Sequence, residues 1–414
     1  MNDLLPPDSS KWQHLERTCR EVFARFGYLE ARPPVVEHTE LFVRGVGEGS
    51  DIVGKEMYTF KDRSDRSLTL RPEFTAGLAR AYIEHAMATK EAVTRWWSIG
   101  PVFRYEAVNT GRYRQFFQID CEAYGVGEPT LDAELIGMLH ALYAALGVAP
   151  VTALINNVGH GDDRGRYREA LVAFVTPKAD GLCGDCKRRL VTNPLRILDC
   201  KVATCQALMA DAPSILDHLG DAARAHFATV QATLTALGVP FVVEPRLVRG
   251  LDYYTGTVFE FTTTAGNLGS QSTLVAGGRY DDMIAELGGP RTPAIGFGIG
   301  VERTVLCMPG DAASYAPAID LFIAAMGPAG RVKATALAHQ LRLAGVTVEV
   351  EHREVGFKAQ FRRADKLAAR LTLALGESEL ATGAAKLKVM ADRSETAIRL
   401  DDLAAAVATA LAAR

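Results

Sequence analysis

The sequence predicts an α+β protein in three parts: a domain built on an antiparallel sheet, a helical insertion within it, and a C-terminal α/β domain. Three observations carry this expectation. Two apolar runs, residues 96–105 and 116–124, flank a polar loop with one glycine, which is the pattern of an antiparallel strand–loop–strand unit. From about residue 162 to 237 the chain becomes charged and helical between two strand-rich regions, as an insertion does. Past a linker at 309–317, short apolar strands at 319–326, 346–352 and 371–375 alternate with helices, the mark of a layered α/β unit. The expected domains are residues 1–316, with the insertion at 162–237, and residues 318–414.

The totals narrow the class. A length of 414 residues suits two or three domains, and 48% hydrophobic with 23% charged residues suits a soluble globular protein. A net charge of −3 excludes a general basic field, so a nucleic acid would be met by local patches. The start, MNDLLPPDSS, has neither the basic nor the apolar region of a signal peptide. No apolar run reaches the ~18–20 residues that span a bilayer. Seven cysteines in this length make no disulfide framework, so a reduced, cytoplasmic protein with no membrane partner is expected.

Along the chain, Trp12, Leu15, Cys19, Val22, Phe23 and Phe26 recur at helical spacing, and Gly27 ends the helix. A short strand follows at 28–32, closed by Pro33-Pro34. Residues 41–60, with glycines at 45, 47, 49 and 54, read as a loop over an opening. A strand at 68–73 ends on Glu73, because Pro72 has no N–H for a ladder. The 96–105 and 116–124 pair places Arg104 and Glu106 at its near edge. Gln118, Asp120 and Glu122 alternate along the return strand and share one face, either a binding floor or a solvated side. An amphipathic helix covers 131–146. Within the insertion, Cys183-x2-Cys186 and Cys200-x4-Cys205 put four thiols in 23 residues, which suits a tetrahedral zinc or four unligated cysteines.

Residues 247–261 put Arg249, Asp252, Tyr253 and Tyr254 within six positions, punctuated by Gly250 and Gly256, before a strand at 257–262. This is the wall of a polar pocket or a surface hairpin with snorkelling aromatics. A second glycine turn, Gly277-Gly278-Arg279-Tyr280-Asp281, follows. In residues 294–300 a Gly-x-Gly-x-Gly strand clears one face, and the next helix carries Arg303 in its first turn. In the C-terminal domain Phe357, Phe361, Ala364 and Leu367 make an apolar helix face. Lys358, Arg362, Lys366 and Arg370 recur every fourth residue on another, fit for RNA phosphates or for solvent.

Together these segments resemble the histidyl-tRNA synthetase family of class II aminoacyl-tRNA synthetases, over nearly the whole chain. Phe103-Arg104-Tyr105-Glu106 with Gly111–Phe116 is similar to the second class II motif, and Gly296–Arg303 to the third. Residues 249–256 and 277–281 are similar to the two motifs that specify histidine. The helix, short strand and prolines of residues 12–34 are similar to the first class II motif, and the resemblance implies the class II synthetase fold with a six-stranded antiparallel catalytic sheet, a homodimer built on that motif, and a C-terminal anticodon-binding domain. It implies histidine activation by ATP with Mg2+, then transfer to tRNA(His). By the same resemblance, Arg104 and Arg249 are catalytic, at the α-phosphate and the substrate carboxylate, and Arg303 meets the γ-phosphate. Glu106, Phe116 and Arg112 belong to ATP. Glu73, Thr75 and Gln118 hold the ammonium, with Phe74 also among the histidine-binding residues; Glu122 and Tyr254 address the imidazole; Tyr253 and Tyr280 line the pocket. The chemistry agrees: an ionised carboxylate nucleophile needs positioning and charge neutralisation rather than a base, and guanidinium forks suit phosphate.

There are departures from the family pattern. Phe74 stands where glycine is usual, next to the ammonium residues. Ala107-Val108-Asn109 replaces Arg-Pro and a polar residue, and Phe117 a frequent histidine. The usual Arg-Gly-Thr lead is absent, and the cysteine pairs are not general to the family. The main alternative is a histidine-binding regulatory paralogue of ATP phosphoribosyltransferase that acylates nothing. The intact 249–256 segment, the three ATP arginines and the C-terminal domain weigh against it. A broader alternative, a threonine or proline synthetase, lacks the histidine motifs.

Overall fold

Eight strands form the main sheet of the N-terminal unit. In chain order they are β1 (Leu29–Glu30), β2 (Thr94–Phe103), β3 (Gln115–Tyr124), β4 (Val151–Asn157), β5 (Phe241–Val243), β6 (Thr255–Thr263), β7 (Thr273–Arg279) and β8 (Ala294–Gly300). Their spatial order is β1-β2-β3-β8-β7-β6-β4-β5. The six central strands pair antiparallel, as the resemblance implied, and the short β1 and β5 add parallel edges. This computed structural model describes residues 2–47, 50, 52–248, 253–266, 268 and 272–412. The chain divides into two units, residues 1–314 and 315–414.

Strand alternation gives the sheet two unlike faces. On β3, Ile119, Cys121 and Ala123 face one way and are fully buried. Helix α1 (Asp8–Arg25) covers that side with the stripe read from its spacing: Leu15, Cys19, Val22 and Phe23 are buried, and Phe23 packs on Trp97 and Phe297 at 5.6 and 6.3 Å. Burying a side chain of that size contributes about 1.5–3 kcal/mol. Gly27, in the left-handed region at φ 78°, ends the helix. The opposite face carries Gln118, Asp120 and Glu122. Asp120 and Glu122 are 1% and 0% exposed, so this is no solvated side.

Two segments differ from expectation. Residues 41–60 are not a loop. They complete a helix at Thr39–Val46, make a π-helical turn at Ile52–Glu56 and supply strand Tyr58–Lys61 of a small three-stranded sheet with Val36–His38 and Ser67–Leu70. Gly45 is a packing glycine: a Cβ there would lie 3.1 Å from the Cβ of Ala76 on helix α2 (Thr75–Glu84). The strand expected to reach Glu73 ends at Leu70, and Glu73 instead caps α2.

The helices between residues 162 and 219 share a core with Leu247, Tyr254 and Val258. Helix α4 (Asp221–Ala236), expected within the insertion, packs instead on α3 (Pro129–Ala145), where His226 Nε2 meets the buried Asp132 at 2.8 Å. The second unit holds β9 (Leu321–Ala325), β10 (Val348–Val350), β11 (Leu371–Leu375), β12 (Ala384–Val389) and β13 (Glu395–Arg399), ordered β10-β9-β11-β12-β13. The first three are parallel; the last two, antiparallel, were not anticipated from the sequence. The basic helix α6 stops at Lys366 (Phe357–Lys366). Arg370 therefore leaves its expected face: the chain turns at Ala368, φ 50°, and Arg370 pairs with Asp320 at 3.2 Å.

Candidate active site

The polar face of β3 meets the glycines of β8 one to one. Gln118 lies opposite Gly300, Asp120 opposite Gly298 and Glu122 opposite Gly296. A Cβ at Gly296 would overlap Glu122 Oε2, and one at Gly298 would overlap Gln118 Nε2. The Gly-x-Gly-x-Gly strand is thus required for its missing side chains. Gln118 Nε2 donates to Asp120 Oδ1 at 3.2 Å. Three acceptors in the row remain buried without a partner: Gln118 Oε1, Asp120 Oδ2 and Glu122 Oε1.

Helix α2 starts beside this row. Glu73, 2% exposed, accepts the backbone N–H of Thr75 at 2.7 Å and of Ala76 at 2.9 Å. Burial pushes its carboxyl up, opposed by those N–H groups and by Arg104. Burial also pushes Glu122 up to about 8, against the pull of the nearby Thr75 and Tyr280 hydroxyls, with Glu73 adding repulsion. Asp120 is pushed well above the usual carboxylate range by burial, then by Glu122 and Glu73. Three carboxylates thus share one buried space. Phe74, also buried, lies with its ring 4.0 Å from the Arg71 guanidinium and packs with Leu78 and Val102.

Tyrosines wall the Glu122 end. Tyr280 donates its hydroxyl to Glu122 Oε2. Tyr253 meets Tyr280 edge-on at 5.6 Å and Tyr254 at 4.6 Å. A Cβ at Gly278 would sit 2.9 Å from the Tyr254 ring, so that glycine makes room for it. Burial pushes the Tyr253 and Tyr280 phenols well up, which keeps both as donors. Arg249, with Gly250, Leu251 and Asp252, lies outside the described residues.

At the Gln118 end, cations gather. Arg104 Nε donates to the Pro72 carbonyl at 2.8 Å, and its guanidinium stands 5.4 Å from the Phe116 ring. Arg112 pairs with Glu106 at 2.8 Å, and Arg104 approaches the same carboxylate at 4.0 Å. Arg303, from helix α5 (Val301–Cys307), donates to the carbonyls of Thr273 at 2.8 Å and Gly111 at 3.3 Å. Its pKa is lowered by burial first, then by Arg112, with Arg104 contributing. Like charges held together in this way suit an anionic ligand. The described site residues therefore assemble at one sheet face.

Sequence reasoning left Asp120, Arg71 and Glu302 without roles. Glu302 accepts the Phe117 N–H at 2.9 and 3.1 Å, tying α5 to β3, and burial raises it to about 7. Its place before Arg303 was the available signal. Arg164 reaches from the insertion to the Tyr254 carbonyl at 3.0 Å, and nothing local in its sequence marks it.

In the insertion the Sγ atoms of Cys183, Cys186, Cys200 and Cys205 all lie within 4.8 Å of one another. The Cys183 and Cys200 sulfurs are 3.9 Å apart. A tetrahedral Zn–S length of about 2.3 Å puts sulfurs about 3.8 Å apart, so the set fits zinc. The backbone N–H of Cys186 draws the Cys183 thiol down to about 7, whereas burial pushes the Cys186 and Cys205 thiols up, a cost that binding a metal would have to offset.

Known proteins resemble this chain over nearly its whole length. A family model described as histidyl-tRNA synthetase matches residues 1–304, and one for an anticodon binding domain matches residues 320–409. A curated histidine–tRNA ligase of Anaeromyxobacter dehalogenans is 50% identical over 410 residues, 98% of each chain. One from Syntrophotalea carbinolica is 48% identical over 403 residues, 97% of this chain and 96% of that one. A crystal structure of apo histidyl-tRNA synthetase from S. aureus matches with TM-score 0.81 at 36% identity, covering 98% of both chains. A Bacillus halodurans C structure, described as an ATP phosphoribosyltransferase regulatory subunit/histidyl-tRNA synthetase, matches with TM-score 0.63 at 23% identity over 88% of this chain and shares the fold.

Proposed function

This chain belongs to the histidyl-tRNA synthetase family, and from that premise we propose how its own residues divide the work. The activity is that of an ATP-dependent histidine–tRNA ligase: histidine and ATP give histidyl-adenylate and pyrophosphate, and the histidyl group passes to the 3′ end of tRNA. ATP enters as its complex with a divalent metal, typically Mg2+.

One observation carries the assignment of the pocket: a row of buried, donor-less acceptors in a glycine-cleared space, with three arginines at one end and three tyrosines at the other. Glu73, Thr75 and Gln118 take the substrate ammonium. Glu122 and Tyr254 satisfy the imidazole, which offers one donor and one acceptor when neutral. Tyr253 and Tyr280 line the ring, and Phe74 stiffens the start of α2. This sets the substrate carboxylate toward Arg104, with Arg249 as its proposed partner at the α-phosphate. Glu106, held by Arg112, takes the adenine amino group, Phe116 stacks on the base, and Arg303 takes the γ-phosphate. The carboxylate is already ionised at neutral pH, so these groups align it with the α-phosphorus and offset charge as pyrophosphate departs.

We also infer that Cys183, Cys186, Cys200 and Cys205 hold a structural zinc that closes the insertion's core. We infer a homodimer as well, supported by exposed apolar Leu29 in the first motif and Val35 and Val36 just after it. No helix among the described residues is long and apolar enough to cross a membrane; a place in the cytoplasm is inferred from the tRNA and ATP that the family's reaction uses. The substrate reading is tested by charging tRNA(His) and non-cognate transcripts with labelled histidine. Charging confined to tRNA(His) is expected; equal charging of the others would overturn it.

A further inference from the structure

Asp120 has no part in the division of labour above, yet it occupies the middle of the row. It is 1% exposed, between Gln118 and Glu122 on the same face of β3. Its Oδ1 accepts from Gln118 Nε2, while Oδ2 is buried with no hydrogen-bond partner. The two cations that act on it are engaged elsewhere. Arg71 donates to the carbonyls of Pro33, Pro34 and Pro101, and Arg104 to that of Pro72. Its strand neighbours offer no donor either. Ser98 gives its hydroxyl to the Ala31 carbonyl, and Gly298 has no side chain. A buried carboxylate oxygen without a donor is costly, and such an orphan calls for an explanation, commonly a ligand.

A row of acceptors selects a ligand rich in donors, and an ammonium has three N–H groups and no acceptor. We infer that Asp120 Oδ2 takes the α-ammonium of histidine alongside Glu73, so that two carboxylates hold the amino group. This rests on the reading of the site as the histidine pocket. The geometry suits it: one same-face step along a strand is about 6.6 Å, comparable with the reach of histidine from its ammonium to its far ring nitrogen. With Glu122 at the imidazole, the ammonium falls at Asp120 and Gln118. Charge-assisted hydrogen bonds of this kind are roughly twice as strong as neutral ones, so Asp120 sharpens the demand for a free amino group.

The test compares histidine with imidazolepropionate, which lacks the ammonium, as ligands of the full-length protein. Asp120→Asn should weaken histidine roughly 10- to 100-fold and leave imidazolepropionate within about 2-fold, so the preference for histidine shrinks by nearly the whole loss. Equal weakening of both ligands, or of neither, would overturn the inference. Asp120→Ser is measured in parallel. Because both ligands report on the same folded fraction, the ratio stays informative if either variant is less stable. Glu122→Gln separates the underlying reading: if it leaves both ligands unchanged, the pocket is not the imidazole site, whatever Asp120 does.

Discussion

Glu122 places one carboxylate oxygen against the Tyr280 hydroxyl and leaves the other without a partner. Burial raises it from an ordinary 4.5 to about 8. The folded state thus binds this proton more tightly than the unfolded state. The resulting stability is complete below about pH 4.5 and is lost as pH rises through 8. Unliganded wild type should therefore lose melting temperature relative to Glu122→Gln between pH 5 and 8.5; parallel curves would contradict the burial argument. Arg249 heads the segment most specific to histidine, and Arg249→Ala should lower kcat for adenylation by roughly 10²–10³, as loss of one transition-state donor does. Near-normal pyrophosphate exchange would remove that role. At this scale the alternation of Gln118, Asp120 and Glu122 was legible, because a two-residue period needs only the sequence. Whether the row faced water was not: that depends on what α2 and the tyrosines place over it, far along the chain.

The elements show which local signals survive packing. The α1 stripe and the β2–β3 pair could be read directly, since each buries one side along its full length. Residues 41–60 could not, because four glycines suggest a loop, whereas Gly45 is there for a helix that touches Ala76. β12 was missed although Ala385, Leu387 and Val389 alternate with Lys386 and Lys388, the period of a half-buried strand, and β13 because it is short and mostly exposed. On β8, Gly296→Ala should reduce histidine activation by roughly 10²-fold, the cost of displacing a reacting group by about 1 Å, with a much smaller change in KM for ATP. Equal activity in steady-state exchange would mean that Glu122 moves aside freely. In the insertion, elemental analysis of protein prepared without chelator should find about one zinc per chain. Cys186→Ser should lose it and, because the same core contains Tyr254, raise KM for histidine. Metal-free protein with unchanged stability would leave the thiols as ordinary core residues.

For the whole molecule, the layered C-terminal unit was legible from its apolar strands, while the extent of its basic face was not, because a helix end depends on the turn that follows. Lys358, Arg362 and Lys366 remain exposed on α6, whereas Arg363 is paired with Glu349 and Glu351. With a net charge of −3, tRNA is not held by a general field, and each phosphate met by a cation adds a salt-dependent term. Lys358→Ala with Arg362→Ala should raise KM for tRNA and reduce its salt slope by up to about 2, since each cation removed leaves one phosphate unneutralised. Amino-acid activation should be unaffected, since the catalytic motifs belong to the other unit. In the proposed division of work, the face of β3 selects histidine for attack on ATP. Histidine-dependent ATP–pyrophosphate exchange by the full-length chain without tRNA tests it most directly. Exchange should appear with histidine, fall by roughly 10⁴ or more with amino acids that lack the imidazole hydrogen bonds, and drop sharply in Glu122→Gln. Binding of histidine without exchange, or comparable exchange with other amino acids, would contradict the account.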